Sequence, residues 1–151
     1  MRRIALVLVL LPSLVQCSGD SSGPSQPTVP EIGGVWSWNQ TLDDAAKGFS
    51  CSDQGTIDID QASSTFSAAI TFTGVCTVPG GSVPRSGTTN TSGGQVSGQN
   101  ISFRVEPLCQ YEGTLSGTPS TAMNGTISCI PVFFQQIGDT ISLGGTWQAT
   151  R

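Results

Sequence analysis

The stretch from Cys51 to Cys76, CSDQGTIDIDQASSTFSAAITFTGVC, decides the fold. When it is folded as an antiparallel hairpin about Ser63 and Ser64, opposed residues have numbers that sum to 127, so Cys51 lies opposite Cys76. One face of this hairpin then carries the cysteines and most of the apolar side chains, and the other face is polar. Such alternation predicts two β-strands with one buried and one solvated face.

A second hairpin follows the same logic. The stretch CQYEGTLSGTPSTAMNGTISC turns about Pro119 and brings Cys109 opposite Cys129, again with apolar residues on one face. Four cysteines permit three pairings, and the sequence alone does not exclude the other two. Because both hairpins place cysteines directly across from each other, they favour the disulfides Cys51–Cys76 and Cys109–Cys129.

Strand signals continue on both sides of these hairpins. Gly98-Gln99 is typical of a tight turn between two further strands, and alternating apolar residues precede and follow the hairpins. We expect an all-β domain over residues 32–151, built as an eight-stranded antiparallel up-and-down β-barrel, with a two-sheet β-sandwich as the alternative. The predicted strands cover residues 34–42, 50–60, 66–76, 87–97, 100–107, 109–116, 121–130 and 140–150.

The first residues predict export. Arg2 and Arg3 precede an apolar run at residues 4–15, which has the length of a signal-peptide core. The run ends in LVQC, which resembles the lipobox of bacterial lipoproteins, although Gln16 occupies a position that normally holds a small residue. The resemblance implies a signal peptide at residues 1–16 and lipidation of Cys17.

The Ser-, Gly- and Pro-rich residues that follow, up to residue 31, predict a tether. We therefore expect a chain that is anchored through an N-terminal lipid on the periplasmic or outer surface of a bacterial cell. An ordinary secretory signal is the alternative and would make the protein secreted. Either route leads to an oxidising compartment, which suits the disulfides.

The first and last strands carry a further resemblance. Gly34-Val35-Trp36 resembles the Gly-x-Trp motif of the lipocalin and avidin superfamily, whose barrels are of the calycin type. The resemblance implies that a basic residue of the last strand, Arg151, packs over Trp36 and closes that end of the barrel. A shared fold does not carry lipid or biotin binding with it.

Composition argues against several function classes. The chain has no histidine, which removes the commonest general base and zinc ligand, and we expect no enzymatic activity. Acidic residues outnumber basic ones by ten to six, without a basic cluster, so nucleic acid is not an expected partner. Asp53, Asp58 and Asp60 suggest a calcium site, but Asp58 and Asp60 are two apart on one strand and point into solvent on the same side, without the loop curvature that calcium needs. A solvated face is therefore expected, and we predict no metal or cofactor.

Two regions are candidate binding sites. Inward aromatic side chains could line a pocket for a small apolar ligand, or they could simply fill the barrel; they are Trp36, Trp38, Tyr111 and Trp147. Loops are expected at residues 78–93, as a flexible polar segment, and at residues 130–139, where Phe133 and Phe134 lie near the barrel rim and could contact a partner.

The leading hypothesis is a non-enzymatic, envelope-anchored lipoprotein that binds a small apolar ligand. The alternative is a protein-binding inhibitor or structural surface lipoprotein with a packed barrel.

Overall fold

The computed structural model describes residues 28–105, 108–135 and 138–151 of the chain, except the side chain of Phe134. The predicted signal peptide, the predicted lipidation site Cys17 and most of the predicted tether lie outside these ranges. In the part of the chain that the structure describes, no helix has the length and apolarity needed to cross a membrane.

The described residues form ten β-strands and one short 3-10 helix, Ala45–Lys47. The strands are β1 (Gly34–Asp44), β2 (Phe49–Ala62), β3 (Thr65–Val78), β4 (Gly81–Ser97), β5 (Asn100–Val105), β6 (Cys109–Ser116), β7 (Ala122–Cys129), β8 (Val132–Phe134), β9 (Asp139–Ile141) and β10 (Gly144–Thr150).

Eight of these strands close into an antiparallel barrel in the order β1-β10-β7-β6-β5-β4-β3-β2. The last strand pairs with the first through residues 144–150 and 37–43, so the barrel has no open seam there. Strands β8 and β9 form a separate two-stranded sheet. The barrel prediction is therefore confirmed, and the sandwich alternative is wrong.

The predicted registers and disulfides are confirmed. Cys51 pairs with Cys76, and Ile57 pairs with Ile70, across the β2–β3 hairpin. Cys109 pairs with Cys129 across the β6–β7 hairpin. Each cysteine pair forms a disulfide bond, as the alternation of apolar residues indicated.

Two strand boundaries differ from the prediction. Residues 81–93 belong to β4 rather than to a flexible loop, because the ladder with β3 runs from Val78↔Gly81 to Ala69↔Asn90. Pro84 is tolerated there because the pairing of β4 with β5 begins only at Thr91, so Pro84 lies on an edge and its missing N–H costs no bond to β5.

The predicted last strand, residues 140–150, is interrupted. Asp139–Ile141 pairs with Val132–Phe134 outside the barrel, and the barrel strand begins at Gly144. The backbone N–H of Ser142 donates to the Asp44 side chain (2.9 Å). A polar side chain therefore takes the place of a strand partner at the break.

The barrel has two different ends. The Trp36 end contains residues 28–33, the turns at 63–64, 98–99 and 117–121, and Arg151. The disulfide end contains the 3-10 helix, the turn at 79–80, residues 130–143 and both disulfides. One apolar core runs between these ends inside the barrel.

Candidate functional site

The predicted ligand-lining aromatics all lie inside the barrel. Trp36, Trp38, Tyr111 and Trp147 are each buried. Phe103 stacks on Tyr111 with the ring centroids 4.7 Å apart, and it forms a T-shaped pair with Trp147 with the centroids 5.3 Å apart. The rings of Phe103, Tyr111 and Trp147 pack against one another inside the barrel, as an eight-stranded barrel allows.

At the Trp36 end, the guanidinium of Arg151 lies over the indole ring of Trp36, 4.2 Å from the ring centroid. Arg151 also donates hydrogen bonds to the backbone carbonyls of Ser120 (3.1 Å), Gly33 (2.9 Å) and Glu31 (3.0 Å). The indole N–H of Trp36 donates to the carbonyl of Ile32 (2.8 Å). Trp36 and Arg151 therefore brace this end, and Gly34 begins β1 beside them.

Above the aromatic layer, towards the disulfide end, a polar cluster crosses the interior. It consists of Gln40, Asp53, Arg85 and Tyr111, from four different strands. The Tyr111 hydroxyl donates to Gln40 Oε1 (2.7 Å), and Gln40 Nε2 donates to Asp53 Oδ2 (2.7 Å). Arg85 Nε donates to Asp53 Oδ1 (2.7 Å), and Arg85 also donates to Asp53 Oδ2. We call these four residues the polar brace.

The structure separates Asp53 from Asp58 and Asp60, which the sequence places in solvent on one side of the strand. Asp58 and Asp60 are exposed, but the Asp53 side chain is 0% exposed and forms an ion pair with Arg85. The strand pattern contained the signal, since Asp53 has the same parity as Cys51 and Ile57. Sequence reasoning missed the brace because Arg85 lay in a segment expected to be a loop.

Gly74 makes the Asp53–Arg85 contact possible. It lies on β3 between these two residues, paired with Asp53 on one side and with Arg85 on the other. A Cβ atom at this position would collide with Asp53 Oδ1 and with the backbone of Ser52. Glycine therefore lets Arg85 reach across β3 to the carboxylate.

Burial governs the electrostatics of the brace. Removal of the Tyr111 phenol from water raises its pKa well above the ordinary value, because the charged phenolate is disfavoured in the interior. Tyr111 therefore stays a neutral donor. The Arg85 side chain is one-third exposed, and its guanidinium also lies over the Phe72 ring, 5.2 Å from the ring centroid. The charges of Asp53 and Arg85 balance each other, and the hydrogen bonds of the polar brace connect β1, β2, β4 and β6.

The β8–β9 hairpin lies at the disulfide end. Ile141 is buried in the barrel core, and Lys47 of the 3-10 helix forms an ion pair with Asp139. The hydrogen bond from Lys47 lowers the pKa of Asp139 and raises that of Lys47. These contacts attach the hairpin to the β1–β2 connection.

Apolar side chains are exposed around the same rim. They are Leu108, Ile130, Val132 and Phe133, of which Phe133 is 61% exposed. The backbone N–H of Ile130 donates to the carbonyl of Leu108 (2.8 Å), so these two residues are neighbours. We call these four residues the apolar rim. The predicted partner residue Phe133 belongs to it, and Phe134 occupies the last position of β8.

No family model, no curated protein and no solved structure matches this chain. The eight-stranded antiparallel barrel, with Arg151 over Trp36, is consistent with a calycin-like barrel.

Proposed function

We propose that the protein is an exported, lipid-anchored, non-enzymatic binding module of the bacterial cell envelope, which binds a protein partner at the apolar rim. The observation that supports this proposal is the contrast between a barrel interior occupied by packed rings and a rim that exposes four large apolar side chains. Clustered exposed apolar residues are typical of a protein contact.

The disulfides support export, because such bonds persist in oxidising compartments. They also leave Cys17 as the one cysteine without a partner in the chain. Acylation of Cys17 would cap this thiol.

The position of the chain start supports the orientation. Residues 28–33 lie at the Trp36 end, opposite the apolar rim. Pro30 and Glu31, the last residues of the predicted tether, are hydrogen-bonded at this end, so the preceding residues 17–29 would span at most about 45 Å when fully extended. An anchor at Cys17 therefore holds the Trp36 end towards the membrane and leaves the rim accessible.

The anchor is tested by metabolic labelling with radioactive palmitate in a bacterial host. Wild-type protein should incorporate label and Cys17→Ser should not. Equal labelling of both would refute lipidation at Cys17.

The rim is tested by chemical crosslinking in the host, comparing wild type with Ile130→Ser/Phe133→Ser. Loss of a crosslinked partner is expected in the double variant. Val35→Ser is the matched control, because Val35 is 60% exposed on the barrel wall far from the rim. An unchanged partner in the rim variant contradicts the proposal.

A second candidate is the binding of a small ligand inside the barrel. One observation favours it: within the described residues, the buried indole N–H of Trp38 has no hydrogen-bond partner. A ligand acceptor would satisfy this group. Native mass spectrometry of the exported protein should then show a complex with a copurified small molecule. A spectrum that contains only the mass of the unligated protein would exclude this candidate.

A further inference from the structure

The outer wall of β1, β2 and β3 carries a groove of about 640 Å³. Two cross-strand rows line it from outside. Asn39, Gln54 and Thr73 lie opposite one another in the first row, and Thr41, Ser52 and Val75 do so in the second. The six side chains project outwards and are exposed.

Most of these polar side chains form no hydrogen bond with another described residue. Thr41 shares a hydrogen bond with Thr146 of β10 (3.1 Å). The side chains of Asn39, Ser52, Gln54 and Thr73 have no such partner among the described residues. The groove therefore presents two amides and two hydroxyls whose donors and acceptors are all directed to solvent or to a ligand.

The residues that line the groove argue against nucleic acids, anionic headgroups and proteins as ligands. No exposed charge lines the groove, and the Asp53 carboxylate beneath it is neutralised by Arg85. Nucleic acids and anionic headgroups need cationic side chains, which are absent from this lining. Protein interfaces need an apolar or aromatic centre, and Val75 is the single apolar side chain here.

A neutral polyhydroxyl ligand fits the amides and hydroxyls of the groove, since it offers both hydrogen-bond donors and acceptors and carries no charge. We propose that this groove binds a neutral polysaccharide. The proposal goes beyond a protein partner at the apolar rim and does not depend on it, because the groove lies on the side wall of the barrel.

The sheet geometry suits a polymer that crosses the strands. Neighbouring strands lie about 4.8 Å apart, and outward side chains repeat about every 6.7 Å along a strand. The first row continues on both sides, to Gln148 of β10 and to Ser86 of β4. Each hydrogen bond replaces one to water, so a single sugar unit binds weakly and a polymer gains by contacting several strands.

Affinity electrophoresis of the full exported chain tests the proposal. Native gels are cast with dextran, mannan, galactan or xylan, and with dextran sulfate as the charged comparator. At least one neutral polymer should retard the wild-type protein. The double variant Asn39→Ala/Gln54→Ala should need at least tenfold more polymer for the same retardation.

A matched control uses the same residue types outside the groove, beside the turn that joins β4 and β5 at the Trp36 end. Gln95→Ala/Asn100→Ala removes one exposed amide from β4 and one from β5 and should leave retardation unchanged. Ser52→Arg fills the groove with a bulky side chain and should abolish it. All three changes point outwards, so the thermal unfolding midpoint should stay near that of the wild type and verifies that each variant folds.

Several results would overturn the proposal. They are the absence of retardation by all four neutral polymers, retardation that survives both groove variants, and retardation by dextran sulfate alone. Ile130→Ser/Phe133→Ser leaves the groove intact and should be retarded like the wild type. Failure of the rim proposal and failure of the groove proposal therefore produce different results.

Discussion

The two ends of the barrel are stabilised in different ways. At the disulfide end, each covalent bond joins neighbouring strands of a single hairpin, with cysteines 25 and 20 residues apart in sequence. At the Trp36 end, Arg151 contacts the carbonyls of Glu31 and Gly33, more than a hundred residues earlier. The Gln61 side chain there accepts from the Ile32 N–H (2.6 Å) and donates to the Pro30 carbonyl (2.9 Å).

This difference separates local from global stabilisation. The disulfides restrict each hairpin in the unfolded chain but cross no other strand pair. The junction between β1 and β10, which closes the barrel, is held without covalent bonds. Closure therefore depends on the β1–β10 ladder itself and on the contacts of Arg151 at the Trp36 end, which join residues far apart in sequence. The polar brace adds contacts across the interior between β1, β2, β4 and β6.

The largest expected effect concerns the polar brace. Arg85→Met leaves the Asp53 carboxylate buried with Gln40 as its remaining partner and should lower the free energy of unfolding by about 3 kcal/mol. Urea denaturation measures this loss. The double variant Asp53→Asn/Arg85→Met removes both charges and should recover most of it. A double variant as unstable as the single one would show that the ion pair does not explain the loss.

Removal of one disulfide should have an effect of the same size. Cys51→Ala/Cys76→Ala and Cys109→Ala/Cys129→Ala should each lower the free energy of unfolding by about 3 kcal/mol, because similar loops are released. Urea denaturation of both variants, compared with the reduced wild type, provides the measurement. If either removal also destroys the β1–β10 pairing in the folded state, the local role of the disulfides is wrong.

A smaller loss is expected at the Trp36 end. Arg151→Ala removes three hydrogen bonds to carbonyls and the contact with the Trp36 ring, and should lower the free energy of unfolding by about 2 kcal/mol. Hydrogen exchange should rise at residues 30–37. Arg104→Ala is the control, because exposed Arg104 donates to the Gln110 side chain (2.8 Å) and contacts neither end-closing carbonyl. Equal losses in both variants would mean that Arg151 has no special role.

The smallest effect belongs to the ion pair between Lys47 and Asp139. Because the folded pKa of Asp139 is lowered, its contribution is present above the ordinary value of 3.8 and is lost as pH falls through the lowered value. Because the folded pKa of Lys47 is raised, its contribution is present below the ordinary value of 10.5 and is lost only as pH rises through the raised value.

Lys47→Ala should therefore speed amide exchange at residues 139–142 at pH 7, without a measurable change in global unfolding. The difference from wild type should disappear in acid once Asp139 is protonated. A difference that persists there would point to packing rather than charge.

Much of the barrel was predictable from the sequence because its strands pair with their neighbours. Cysteine positions and period-two alternation place Cys51 opposite Cys76 without further information. The same method failed at Ser142, where a side chain 98 residues away takes the backbone N–H. It also failed for β4, which was predicted to begin at residue 87 but begins at Gly81.

The candidate sites were likewise predictable only where they depend on residues close along the chain. Burial of Trp36, Trp38, Tyr111 and Trp147 follows from alternation, but the packing of Tyr111 against Trp147 does not. Asp53 has the parity of an interior residue, yet its partner Arg85 is 32 residues away and reaches it across a glycine. The outer groove needs three strands in register before its residues become neighbours.

The sequence by itself determined the strand class, the two hairpin registers and the disulfide pairing, because these depend on residues close along the chain and on a period of two. Only the tertiary structure decided that the barrel closes, that an ion pair lies inside it, and that polar side chains form a groove outside it. Those features join distant residues, and their free energy appears only after the strands have curled into a closed sheet.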